Sequence, residues 1–490
     1  MSKNSSYNQI IKSTTIFGGS QIFIILIGII RTKIVAILLG AAGIGIIGIY
    51  QSVIDMMRSV CSLGMDTAGV KEIAEADSEE DRITLYKTIT RLNKWFKGTA
   101  LLGLVSCAIL SYPISIWVFE DKGYTLPIAL LSICIFLAIL TTGKSVILQG
   151  MRKIPEMAKS AILGSLFGLV FSVPIYFIFG LDGIIPAFII SGLISFFVVE
   201  FYYRKQSIEN IKASNREAFK SGLNTLKLGL YIVVAGLIST ISMFLMRGFI
   251  TRNIDIEAAG LFQAAWAITN VYLGLILRSM GSDFFPRLSA IASDNNKVKG
   301  LVNEQSYIVL VIASPIIIGM LLFSDFALAV LYSSEFTAAN SVLCWQIAGT
   351  FFKVLSWPIA FIMLAKNKGL LFFMTEAVYY IVYLLSGYLL YPHYGLEAAG
   401  IGYLIAYIVY LPLVFIIGYR ISEFNWKKSV VFMTLTNIIL ICAAFYIAQY
   451  MEEYKLLPGV IVLLASLLYA YLNLRRVFSL EDLKKWFNRK

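Results

Sequence analysis

Apolar runs close to the ~20 residues needed to cross a bilayer recur from one end of the chain to the other, separated by short polar clusters. They predict helices near 13–39, 45–68, 97–118, 125–148, 157–179, 184–203, 225–249, 258–280, 306–323, 338–364, 370–391, 397–419, 430–449 and 457–474. No stretch is left over for a globular domain. The pattern therefore predicts an all-α membrane protein of about 14 transmembrane helices. Composition agrees, with 58% of the 490 residues hydrophobic, 14% charged and a mean hydropathy of +0.79. Residues 1–12 are polar and carry no basic cluster leading into a short apolar core, so no cleaved signal peptide is expected.

Landmarks of the first half recur roughly 212 to 217 positions later, in the same order. Gly48-Ile-Tyr-Gln51-Ser opens the second predicted span, and Gly260-Leu-Phe-Gln263-Ala opens the eighth. Ala74-Glu-Ala-Asp77 has a counterpart at Ala292-Ser-Asp294, and Leu181-Asp-Gly at Leu396-Glu-Ala. Six spans per copy is an even number, so both copies start on the same side of the membrane and form a parallel repeat. The expected organisation is an N-terminal six-helix lobe (1–203), a basic cytoplasmic linker (204–224), a C-terminal six-helix lobe (225–420), and a helix hairpin with a basic tail (421–490).

The formal charge of +12 invites a nucleic-acid reading until the cations are located. With both termini cytoplasmic, the outer loops hold Lys122, Arg252 and Lys455, seven cations lie inside or at the margins of spans, and 31 of the 41 fall on the inner side. That asymmetry follows the positive-inside rule. The charge records topology, and nucleic acid is not an expected partner. The five cysteines all fall within apolar spans without ligand spacing, so buried thiols are expected and neither a disulfide framework nor a metal site is.

The seven intramembrane cations are Arg31, Lys33, Arg58, Lys144, Arg247, Arg278 and Lys353. A charge at the bilayer centre costs ~2.5–3.5 kcal/mol on insertion scales, so each must snorkel, pair or face a wet cavity. Counted at ~1.5 Å per residue, Arg31 lies about 13 Å, Arg58 about 20 Å and Lys353 about 22 Å along their spans, beyond snorkelling reach. Lys144, Arg247 and Arg278 lie nearer span ends, where snorkelling is the simpler account. Lys33 sits about 200° around the helix from Arg31, so the two cannot both face one cavity squarely. Intramembrane acids are scarcer. Asp55 is one turn before Arg58 and could neutralise it, and Glu376 stands in the eleventh span. More deep cations than anions favours an anionic guest, and arginine forks suit phosphate oxygens.

Two further signals mislead. Gly43-Ile-Gly45-Ile-Ile-Gly48 has the letters of a dinucleotide fingerprint but follows no strand, so close packing and a tight turn explain its glycines better. The single histidine, His393, has no nucleophile or metal partner in sequence, and no catalytic residue or cofactor is expected.

The stretch Arg31-Thr-Lys-Ile-Val-Ala-Ile-Leu-Leu-Gly40-Ala-Ala-Gly43-Ile-Gly45-Ile-Ile-Gly48-Ile-Tyr-Gln51 resembles the first helix pair of Wzx-type polysaccharide flippases. These belong to the multidrug/oligosaccharidyl-lipid/polysaccharide exporter superfamily. Gly260-Leu-Phe-Gln-Ala-Ala-Trp266, Phe285-Pro-Arg-Leu-Ser289 and Leu181-Asp-Gly extend the likeness along essentially the whole chain. The resemblance implies transfer of an undecaprenyl-pyrophosphate-linked glycan, of O-antigen or enterobacterial-common-antigen type, across a bacterial inner membrane by alternating access between two lobes. In the related lipid II flippases, arginines on the first two helices line the central cavity, and Arg31 and Arg58 stand at matching places. Some members of the family have twelve spans, fewer than the number read here.

The expected substrate-binding set is Arg31, Lys33, Arg58, Arg278 and Lys353, with Asp55 and Glu376 as candidates for ion or charge coupling. The expected partners are the lipid-linked glycan, membrane lipids and glycan-assembly membrane proteins. A drug/cation antiporter of the same superfamily would need acids converging in a lobe. A membrane glycan polymerase would need a sizeable outer loop or a carboxylate cluster.

Overall fold

The structure, a computed structural model, describes residues 3–78, 82–206, 208–209, 211, 234, 236–272, 274–451 and 456–477. Among the described residues it is all-helical. The predicted spans at 225–249 and 258–280, and most of the basic segment 204–224, fall in part outside the described residues. Among the described residues, ten segments are long and apolar enough to cross a membrane. Two of these, Gly19–Ser62 and Ile154–Arg204, are interrupted by left-handed glycines, Gly40 (φ 63°) and Gly180 (φ 57°).

The chain divides into two compact units, Met1–Gly260 and Leu261–Lys490. Unit 1 contains α1 (Lys3–Ser62, bent at Gly40), α2 (Met65–Ser78), α3 (Arg82–Phe119), α4 (Thr125–Gly150), α5 (Ile154–Phe179), α6 (Ile184–Arg204) and helix α7 over 236–253. Helix α8 (Ile256–Ala267) begins in unit 1 and runs into unit 2. Unit 2 continues with a π-helical segment (Ile268–Tyr272), α9 (Gly274–Ala290), α10 (Asn295–Leu322), α11 (Ser324–Leu331), α12 (Asn340–Ala365), α13 (Gly369–Tyr394), α14 (Glu397–Ser422), α15 (Lys428–Tyr450) and α16 (Leu456–Val477).

The repeat read from sequence is present in the backbone. Helices α4 and α12 are each 26 residues long and start 215 positions apart, as do α5 and α13. The turn after α4 puts Arg152 at φ 55° and the turn after α12 puts Asn367 at φ 57°. The closing hydrogen bonds match too, Lys153 N–H to Leu148 O and Lys368 N–H to Met363 O, both at 2.8 Å. Gly180 and Gly395 (φ 52°) end α5 and α13 alike. A glycine takes this left-handed conformation without the Cβ penalty, and the chain can then reverse between apolar helices.

In unit 1, α4 packs on α3 and α6 while α5 packs on α1 and α6. In unit 2, α12 is the central helix, held by α10 and α14, and the α15–α16 hairpin lies against α10. Tyr307 of α10 donates to Asn473 Oδ1 of α16 at 2.9 Å, so the last two helices are an integral part of this unit. Outward faces are apolar, with Ile109, Phe177, Ile178, Ile439 and Leu456 all exposed. A soluble protein would leave few such contiguous faces, whereas lipid satisfies them.

Proline positions separate into two kinds. Pro127 and Pro186 occupy the first turns of α4 and α6, where the missing N–H costs nothing. Pro174, Pro315, Pro358 and Pro412 sit inside helices. The glycines of 43–48 are helical: a Cβ on Gly45 would strike Ile256 O, and one on Gly260 would strike Ala41 O. Close backbone approach is what the sequence needed glycine for; the chain bends at Gly40 alone. Cys61, Cys107, Cys134 and Cys344 are buried thiols as expected, but Cys442 is exposed on the outer face of α15.

Candidate functional site

The sequence-selected residues fall into separate groups within each unit. Arg31 lies on the first arm of α1 and donates from Nη2 to the hydroxyl of Tyr176 on α5, 3.3 Å away. Tyr176 is among the largest fully buried side chains, so it fixes one edge of the guanidinium. Among the described residues Arg31 has no carboxylate partner. Lys33, two residues on, is partly buried.

Asp55 accepts a hydrogen bond from Gln51 Nε2 at 3.2 Å, one turn back on the same helix. No ion pair joins it to Arg58 among the described residues. Arg58 instead acts electrostatically on Asp66, at the start of α2. The side chain of Arg278, on α9, lies outside the described residues.

In unit 2 the structure brings Lys353 and Glu376 together. Lys353 Nζ donates to Asn270 Oδ1 at 2.9 Å and stands 5.8 Å from the centre of the Tyr407 ring. It also acts electrostatically on Glu376, whose Oε1 accepts from the Tyr410 hydroxyl at 2.6 Å. The local fold explains the convergence. Gln346, Thr350 and Lys353 recur at helical spacing on one face of α12. Tyr403, Tyr407 and Tyr410 do the same on α14, which is packed against it. Tyr379 on α13 completes the wall, its ring 4.5 Å from that of Tyr407. The amide oxygen and the cation–π attraction of the Tyr407 ring offset part of the cost of a partly buried ammonium.

Asn270 is presented by the π-helical segment Ile268–Tyr272. Such wide turns are rare and frequently mark functional sites. The Asn270 amide nitrogen donates back to Trp266 O at 3.4 Å, which aims the oxygen at Lys353. Thr269 donates to Gln346 Oε1 at 3.2 Å, a second bond from the same segment to α12.

Sequence reasoning missed Tyr176, Asn270, Tyr407 and Tyr410. A signal existed for Asn270, since adjacent Thr269 and Asn270 interrupt an otherwise apolar span. None existed for the tyrosines, which read as core or interface residues. Lys144 corrects an expectation. Its Nζ pairs with Glu200 of α6 at 3.4 Å and lies 3.7 Å from the centre of the Tyr203 ring, so it does not snorkel.

The sequence profile of the polysaccharide biosynthesis protein family matches residues 34–341. The lipid III flippase of Escherichia coli (strain K12) is 22% identical over 396 residues, covering 79% of this chain and 92% of that protein. The lipid II flippase MurJ in an inward closed conformation superposes with a TM-score of 0.71 at 16% identity, over 94% of this chain and 98% of that one. An inward-facing multidrug resistance MATE family transporter of the MOP superfamily superposes with a TM-score of 0.62 at 17% identity, over 81% and 94% of the two chains. These structural likenesses describe the fold, a many-helix membrane architecture built on a repeat. Because the family profile covers more than half of its length, this chain belongs to the polysaccharide biosynthesis protein family.

Proposed function

We propose that this protein is a flippase carrying an undecaprenyl-pyrophosphate-linked oligosaccharide, of O-antigen or enterobacterial-common-antigen type, from the cytoplasmic to the periplasmic leaflet. The lobes 1–203 and 225–420, joined by the basic segment 204–224, alternate access, and both termini are cytoplasmic. The observation that carries this reading is Arg31. It is a guanidinium in a membrane arm whose described partner is a neutral phenol, so its charge waits for an anion. A diphosphate matches the free edge of the fork in both charge and geometry. Arg58, Lys33, Arg278 and Lys353 complete the proposed headgroup set.

The E. coli lipid III flippase supports a lipid-linked glycan as cargo, since it is similar over most of both chains. A drug/cation antiporter would need a carboxylate open to a cation. Glu376, the deep acid of unit 2, is instead held by Tyr410 and faced by Lys353.

The test is glycan export in a strain lacking its native flippase, scored beside membrane protein levels. Arg31→Ala should insert normally and abolish export, and Arg31→Lys should restore only part of it. Export by Arg31→Ala at the wild-type level would remove this reading.

A further inference from the structure

The repeat allows the first turns of α4 to be compared with those of α12, its counterpart in unit 2. In unit 2 the start of α12 is covered by α15. Gln449 of α15 donates from Nε2 to Ser341 Oγ at 3.3 Å, and the ring of Phe445 stands 4.5 Å from that of Trp345. Leu126 and Leu130 of α4 stand 215 positions before Ser341 and Trp345. In unit 1 these two leucines line a cavity instead, and Leu126 is 68% exposed.

The cavity measures about 800 Å³ and lies among α1, α4 and α6, with Leu126, Leu130 and Ile189 in its mostly aliphatic wall. Its polar groups come from Tyr50 and from the turns before α4 and α6, every residue of which is described. Asp121 accepts from the Gly123 N–H through Oδ1 at 2.8 Å, which leaves its second oxygen. Asp182, exposed in the turn Gly180–Gly183, has no ion-pair partner among the described residues. Tyr50 is only 3% exposed, yet its hydroxyl finds no hydrogen-bond partner among the described residues. Its ring is held edge-on to Phe119, which itself stacks on Tyr124 at 3.8 Å. Among the described lining residues there are two acids and no cation.

We infer that this cavity is a binding site for an ethanolamine phospholipid, with one acyl chain along Leu126, Leu130 and Ile189 and the ammonium on the carboxylates of Asp182 and Asp121. The chain then covers the face of α4 that Phe445 and Gln449 cover on α12. A concave, largely apolar wall with a few placed polar groups is what an amphiphile fits. The carboxylates select the head, because they attract an ammonium and repel a lipid that offers only phosphate. Lys122, exposed in the same turn as Asp121, remains for the phosphate of the zwitterion. A buried hydroxyl without a partner is costly, and the lipid's ester oxygens lie at the level where Tyr50 can donate to them. The site is separate from Arg31 and does not depend on the identity of the transported cargo.

The test uses the full-length protein, delipidated in detergent and titrated with phosphatidylethanolamine or with phosphatidylglycerol of the same acyl chains, both followed by native mass spectrometry. Wild type should retain one phosphatidylethanolamine roughly tenfold more strongly than phosphatidylglycerol, and Asp182→Asn should bring the two close to parity. Leu130→Trp gives α4 the residue type of its counterpart in α12, fills the groove and keeps both acids, so it should lower retention of both lipids. Equal retention of the two lipids by wild type, or a preference undiminished in Asp182→Asn, would overturn the inference. Should Asp182→Asn fail to fold, Leu130→Trp decides independently, and unchanged retention of phosphatidylethanolamine there would overturn the site.

Discussion

Lys353 Nζ and Asn270 Oδ1 meet at 2.9 Å across two helices of unit 2, and the bond exists because a π-helical turn delivers the asparagine. A hydrogen bond to a charged group contributes ~1.5–3 kcal/mol. Asn270→Ala should therefore lower the thermal stability of the purified protein, whereas in a Lys353→Met background the same change should have little effect. A double-mutant cycle reads this coupling. Additive effects would mean the pair is not formed.

Glu200 and its two cations give an asymmetric expectation. Glu200 accepts from Arg204 Nε at 2.8 Å and pairs with Lys144 at 3.4 Å. Lys144→Met leaves the carboxylate with one partner, but Glu200→Gln strands a largely buried ammonium. Breaking a buried pair by removing one partner costs on the order of 3 kcal/mol. The Glu200 variant should melt at a distinctly lower temperature than the Lys144 variant. The opposite ranking would show Lys144 to be solvated.

Gly260 tests close packing. A Cβ there would run into Ala41 O, so Gly260→Ala should impair accumulation of folded protein in the membrane. Gly300, in α10, has open space where an alanine methyl would sit, with nothing within 4 Å, and serves as the control. Gly300→Ala should be neutral or stabilising by about 0.5–1 kcal/mol, since alanine lowers the entropy of the unfolded chain. Membrane levels by fluorescence-detected chromatography compare the two.

Two acids are candidate partners of Arg58: Asp55, one turn back on α1, and Asp66, at the start of α2. If Arg58 receives substrate, Arg58→Ala abolishes export and neither Asp55→Asn nor Asp66→Asn restores it. Rescue by Asp66→Asn would identify a structural pair. Rescue by Asp55→Asn would show that the acid one turn back is the neutralising partner.

The helical class and the membrane-length spans were legible from sequence because lipid imposes them, and the repeat because its landmarks recur at nearly one offset. Backbone groups in hydrocarbon must be satisfied within each helix, so apolar length alone reports a span, and a repeated register carries its turns with it. Gly180 and Gly395, 215 positions apart, show the sequence landmark and the backbone turn coinciding. The deep cations were legible for the same reason, since a charge among apolar residues is conspicuous.

What each cation touches was decided only by tertiary structure. Arg31 finds Tyr176 145 positions away, Lys353 finds Asn270 83 positions away, and Lys144 turns from an expected snorkel into a partner of Glu200. Hydropathy reads depth along a helix, but the direction a side chain faces depends on how neighbouring helices rotate and pack. Helix-breaking detail such as the π turn at Ile268–Tyr272 leaves little trace in composition. The sequence alone located charge in the membrane; packing chose whether that charge was paired with a carboxylate, held beside an aromatic ring, or set against a neutral hydroxyl.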